Sequence, residues 1–178
     1  MSRISVPAVE SATGATAEVY AEVKKVAGGV PNLFVALGAL APQVLKSVLN
    51  AEGVLGAGTL SKQEVETIKL AVSELTGCDY CVAAHTVIGK MTGLSAEALR
   101  QIHAGEPTRD ARRDALARFV RQLQTTSGTI SAEQFAAIKA AGYSDAQLVE
   151  ITLAIALTVF TNTFNRINDT DLDFPRVR

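Results

Sequence analysis

Cysteine is scarce in this chain. Two residues in 178 cannot build a disulfide scaffold, so the pair is read as catalytic, redox-sensing or metal-binding in a cytoplasmic protein. A surplus of either charge is also missing. Seventeen basic residues stand against eighteen acidic ones, with no basic block to follow a phosphate backbone, which argues against nucleic acid as a partner. The segment Met1 to Glu10 lacks the apolar run of a secretory signal. The longest apolar stretch, Ile151 to Phe160, is ten residues, about half of the roughly 20 needed to cross a bilayer, so no membrane anchor is expected. No Ser/Gly/Pro-rich linker interrupts the chain, and 1–178 is read as one domain.

What is present is alanine, 28 times, in a chain whose β-branched residues fall mostly singly and at spacings of three or four. With 48% hydrophobic and 20% charged residues, the reading is a globular all-α protein. Three helix starts carry a capping box, in which a Ser side chain caps a backbone N–H and a Glu or Gln three residues on reaches back: Ser61 with Glu64, Ser131 with Gln134, Ser144 with Gln147. After Ser61, the positions Val65, Ile68, Val72 and Leu75 form an apolar stripe that Gly77 ends. Further helices are predicted at Thr16 to Val26, Pro42 to Leu55, Cys78 to Met91, Ser95 to Ala104, Arg109 to Thr126, Ser131 to Ala141 and Ser144 to about Asn168. An offset of 83 residues sets Ser61, Glu64, Ile68 and Ala71 against Ser144, Gln147, Ile151 and Ala154. This pattern fits either two related helical halves or two independent amphipathic helices.

The chemistry concentrates in Gly77-Cys78-Asp79-Tyr80-Cys81-Val82-Ala83-Ala84-His85. Residues three and four apart share a helix face, so Cys78, Cys81 and His85 form one stripe. Helical i, i+3 spacing also brings Cα atoms to about 5 Å, within disulfide reach. Cys78 lies where a helix start favours a thiolate, while His85 is spaced to exchange a proton with Cys81, so these physical arguments leave the order of the two sulfurs open. A structural reading, two buried cysteines beside a core histidine, competes with the redox one; the His in register favours redox. Zinc is the other competitor, but Cys78, Cys81 and His85 supply three ligands where a closed site takes four, and the other His, His103, lies beyond Gly93. No metal or cofactor is therefore expected.

Glu66, between Lys62 and Lys69, reads on its own as a surface residue. If the break at Gly77 folds the flanking helices into an antiparallel hairpin, Glu66 and His85 come within three residues of the same level, or about 4.5 Å of rise. A carboxylate there orients the imidazole and raises its basicity. Tyr80, on the opposite side of the helix, is assigned to packing. Asn168-Asp169-Thr170-Asp171-Leu172-Asp173 alternates carboxylates like a calcium loop but lacks its Gly and its Glu, and is read as a solvated tail.

Glu66-x(11)-Cys78-x-x-Cys81-x-x-x-His85, preceded by Ala71-Val72-Ser73, resembles the AhpD-like alkylhydroperoxidases of the carboxymuconolactone decarboxylase superfamily. The second half, from Ala140-Ala141-Gly142-Tyr143-Ser144-Asp145 to Asp173-Phe174-Pro175, resembles their peroxidase-related members. The resemblance implies an all-helical fold with its Cys-x-x-Cys core at about 37–105, assembly into homo-oligomers such as trimers or hexamers, and thiol peroxidase activity. In that scheme Cys81 is oxidised by a peroxide substrate, Cys78 resolves it, and Glu66 with His85 relays the proton. An external dithiol, such as a lipoyl protein or thioredoxin, recycles the pair. Some relatives carry a His where Tyr80 stands. A dithiol adaptor without peroxidase turnover is the alternative, and a decarboxylase-like lyase a weaker one, since that branch lacks the cysteine pair.

Overall fold

A computed structural model describes residues 2–177. Among these, nine α-helices and one short 3-10 turn at Val9–Ser11 are present, and no strand. The helices are α1 Gly14–Ala27, α2 Asn32–Leu40, α3 Pro42–Gly56, α4 Lys62–Thr76, α5 Asp79–Met91, α6 Ala96–Ala104, α7 Ala111–Thr125, α8 Ala132–Ala140 and α9 Asp145–Asn168. All three capping boxes form, with Ser61, Ser131 and Ser144 just outside their helices. The all-α reading holds, with two local differences. Helix α2 carries none of the cap signals used above; its N-cap is Pro31, which makes no side-chain capping bond. Cys78 is the N-cap of α5 rather than its first helical residue.

Helix α4 is the axis of the fold and packs against α5, α6, α7 and α9. An apolar stripe on one face understates it, because residues 66–73 are all buried. Ile68, Ala71 and Val72 join Leu116, Val120, Ile151 and Ala154 in one apolar cluster. The polar positions among them are satisfied by partners, as buried charges must be: Lys69, 8% exposed, reaches Glu52 at 2.7 Å. Helix α9 runs in the same direction as α4. Glu150, near its start, accepts from the Thr59 and Leu60 backbone N–H groups ahead of α4, and Asn162 bonds Ser73 and Thr76 at the far end. The two helices matched at an offset of 83 therefore lie side by side, with their capping boxes at the same end.

By length and composition α9 is apolar enough to cross a membrane. It meets the core through Ile151, Ala154, Ile155, Thr158, Asn162 and Asn165.

A second cluster gathers Val19, Tyr20, Leu33, Leu37 and Leu45 around Cys78, Tyr80 and Cys81. The chain end closes over it, which corrects the solvated-tail reading. The Asn32 N–H donates to the Asp173 carboxylate at 2.7 Å, Asn32 Nδ2 donates to the Asp171 carbonyl at 3.0 Å, and Phe174 meets the Tyr80 ring edge-on at 5.5 Å. Of the carboxylates that suggested a calcium loop, Asp173 fastens this strap to Asn32, and Asp171 accepts the Ser2 N–H at 2.9 Å.

Candidate active site

Gly77 makes the site possible. It ends α4 in the left-handed region, φ 66°, where a residue without Cβ is favoured, and the chain reverses into α5 within two residues. The hairpin inferred from spacing is the one observed. Glu66 Oε2 and His85 Nδ1 are 2.9 Å apart, with Glu66 only 5% exposed. An ionised carboxylate can only accept, so Nδ1 carries the hydrogen, and Nε2 is the ring nitrogen left for proton transfer.

Cys78 and Cys81 are joined as a disulfide with Cα atoms 5.3 Å apart, as i, i+3 placement at a helix start allows. Both are buried, at 2% and 3% exposure. Cys78 Sγ fills the role a Ser or Asn oxygen usually plays at a helix start, accepting the Cys81 backbone N–H at 3.3 Å. His85 follows Cys81 by one turn of α5. All four residues singled out from the sequence thus lie at the α4–α5 hairpin. A cavity of about 280 Å³ reaches one of the four, Cys78, and is lined also by Tyr80, Asn165, Arg166, Thr170 and Leu172 among others.

Tyr80 packs, as its position suggested. Its hydroxyl accepts the Leu33 N–H at 3.2 Å. Burial pushes the phenol well above its ordinary value, and the Asp173 carboxylate adds in the same direction, so the ring stays neutral. Among the described residues, no three His, Cys, Asp or Glu side chains converge as a metal site requires.

Two features escaped sequence reasoning. His103 is not isolated: its Nδ1 lies 2.5 Å from Glu74 and its Nε2 3.0 Å from the Thr86 hydroxyl, a second Glu–His pair spanning α4, α5 and α6. Asn165, from α9, donates its Nδ2 hydrogen to Cys81 Sγ at 3.3 Å. A signal for it existed in the three asparagines at 162, 165 and 168, spaced by three along an otherwise apolar helix.

Residues 42–106 match the Carboxymuconolactone decarboxylase family. Over nearly the whole chain, the structure is similar to an alkylhydroperoxidase AhpD core, an uncharacterized peroxidase-related protein from Ralstonia eutropha JMP134. The TM-score is 0.86 at 24% identity, covering 97% of this chain and 92% of that one. The fold is AhpD-like. An uncharacterized peroxidase-related protein from Silicibacter sp. TM1040 superposes with a TM-score of 0.81 at 20% identity, over 96% of this chain and 91% of that one. The same architecture carries a different named activity in the debrominase Bmp8, whose cysteine-to-alanine variant is known with 2,3,4-tribromopyrrole; here the TM-score is 0.80 at 17% identity, over 97% and 94% of the two chains. No curated protein matches this chain. The resemblance read from the Glu, Cys-x-x-Cys, His spacing therefore holds for the fold over nearly the full length, and for the family over 42–106.

Proposed function

We propose that this AhpD-like protein is a thiol-dependent hydroperoxidase. Cys81, as thiolate, attacks one oxygen of hydrogen peroxide or an organic hydroperoxide; the O–O bond breaks, and water or an alcohol departs, leaving a sulfenic acid on Cys81. The Cys78 thiol attacks that sulfur, water leaves and the disulfide forms. Two electrons from an external dithiol, such as a lipoyl protein or thioredoxin, restore both thiols. His85 takes the Cys81 proton and returns it to the departing oxygen, while Glu66 holds the ring. The observation that carries this reading is a Cys78–Cys81 disulfide one helical turn from a histidine fixed by a buried carboxylate. Burial of both sulfurs favours a small oxidant over a folded protein partner in the oxidising step.

The test is oxidation of the reduced protein with one equivalent of hydroperoxide, followed by mass spectrometry. Wild type should form the Cys78–Cys81 disulfide, Cys78→Ser should accumulate a sulfenic acid on Cys81, and Cys81→Ser should stay inert. Absence of the disulfide in wild type would defeat the reading. Sulfenylation of Cys78 would reverse the roles. Disulfide formation without steady-state turnover on an added dithiol would identify an exchange adaptor, and an activity surviving loss of both cysteines would point to the lyase chemistry of the family name.

The reading includes self-association. Val149, Phe160 and Ile167 leave an uncovered apolar stripe on the outer face of α9, which suits a second copy of the chain in a trimer or hexamer. A monomer by light scattering at micromolar concentration would refute it. A pair that must be re-reduced suits the reducing cytoplasm.

A further inference from the structure

Asn165 is 3% exposed and lies 84 positions from the cysteine it touches. Among the described residues each sulfur of the pair has one hydrogen-bond donor, but the donors differ in kind. Cys78 Sγ takes the Cys81 backbone N–H, set by the helix start, whereas Cys81 Sγ takes the Asn165 carboxamide. The other end of that carboxamide is unsatisfied: Asn165 Oδ1 is buried and has no hydrogen-bond partner among the described residues. Its neighbours on α9 use both ends. Asn162 bonds Ser73 and Thr76, and Asn168 accepts from the Ile4 N–H while donating to Thr170. An unpaired buried acceptor is costly and calls for a partner. Asn165 also lines the cavity of about 280 Å³ that reaches Cys78.

We propose that Asn165 is a catalytic residue with two contacts: its Nδ2–H holds Cys81 as the attacking sulfur, and its Oδ1 receives the O–H of the incoming hydroperoxide. This rests on the hydroperoxidase reading of the same site. A disulfide sulfur is a weak acceptor and a thiolate a strong one, so the Nδ2 bond strengthens when the pair is reduced and persists on the sulfenate. The donor thereby answers the pull of the helix start on Cys78, and the unsatisfied oxygen fits the protonated end of a neutral hydroperoxide.

The experiment compares Asn165→Leu and the isosteric Asn165→Asp with their parent, all in a Cys78→Ser background so that only Cys81 reacts. Iodoacetamide reads the thiolate alone; tert-butyl hydroperoxide reads thiolate and substrate contact together. Losing the donor lowers the thiolate fraction about tenfold, of which the rise in intrinsic nucleophilicity returns roughly half on a logarithmic scale, so Asn165→Leu alkylation at pH 7 should slow about threefold and its pH profile move upward. The hydroperoxide rate should fall further, about thirtyfold in all, because a second hydrogen bond worth about a factor of ten is lost. Asn165→Asp, which keeps the shape but turns a carboxylate oxygen toward Cys81, should slow alkylation more than Leu does. Parent rates with both reagents in either folded variant overturn the proposal, and equal slowing with both reagents overturns the Oδ1 contact. If alkylation depends on Asn165 while the parent ignores hydroperoxide, the Nδ2 contact stands and the hydroperoxidase reading is what fails.

Discussion

Replacing Glu66 and His85 with alanine, singly and together, tests whether they act as a unit. The side chains are 7% and 14% exposed and meet at 2.9 Å, so neither can substitute water freely for its partner. His85→Ala leaves a buried carboxylate alone, at a cost of about 3–5 kcal/mol. Glu66→Ala leaves a ring N–H without an acceptor, at about 1–3 kcal/mol. The double variant removes both unsatisfied groups at once, so its loss should fall short of the sum of the single losses by about 2 kcal/mol. Urea unfolding of the reduced proteins reads all four corners of the cycle, and an unchanged m-value certifies that the denatured state is not the cause. On the proposed function, in which Glu66 acts through the imidazole, the rate of Cys81 oxidation should couple as well. Glu66→Ala should slow Cys81 oxidation when His85 is present but add little once His85 is gone. Additivity within about 0.5 kcal/mol, together with multiplicative rate losses, would refute the argument.

Gly38→Ala should destabilise the α1–α2–α3 corner by about 1–3 kcal/mol, seen as a lower Tm. The new Cβ would fall on the Tyr20 ring and 3.1 Å from Leu45 Cδ2, and Tyr20 is tethered by its hydroxyl bond to the Val35 carbonyl at 2.6 Å. Asn162→Leu should cost about 1–3 kcal/mol in urea unfolding, because Ser73 and Thr76 lose the carboxamide that joins α9 to α4. Acid should weaken the fold through two carboxylates. Burial works to raise Glu64, but the Ser61 backbone N–H and Arg112 outweigh it, while the Thr59 N–H leads the groups that hold Glu150 down. Both are thus below the free-carboxylate value of 4.5 when folded. Their contribution is complete above that value and is lost as pH falls toward the folded ones, so Tm should drop through this window, and less steeply in Glu150→Gln.

Apart from α2, which has no capping signal, the helix inventory was legible because its signals are local. Ser61, Ser131 and Ser144 cap the helices that follow by contacts spanning three residues, and Gly77 ends α4 by its own backbone conformation. The common level of Glu66 and His85 was legible for a related reason: a two-residue break fixes how two helices fold back, so counting from it measures height, though not which face of α4 the carboxylate takes. Contacts between distant segments were not. Tyr80 with Phe174, Asn32 with Asp173 and Asn165 with Cys81 join residues that no short-range periodicity relates. Glu66 read on its own as a surface residue because charge alternating with apolar positions normally marks a half-exposed helix. On α4 the surrounding helices bury every side and bring His85 and Glu52 to the charges.

The polar groups on this buried helix divide the site from its scaffold. Glu66 and Glu74 lie eight residues apart on α4, and each engages a histidine, yet the two pairs end differently. The far nitrogen of His103 is occupied by the Thr86 hydroxyl, so that pair is closed at both ends and pins α6 to the α4–α5 hairpin. The Glu66 pair holds an imidazole that follows Cys81 by one turn of α5, and in the proposed cycle its other nitrogen exchanges the Cys81 proton. A closed pair spends its hydrogen bonds on geometry; an open pair can move a proton only because that geometry is already held. This is why alanine at His103 should cost stability and leave the intrinsic reactivity of Cys81 unaltered in the folded fraction, whereas alanine at His85 should cost both.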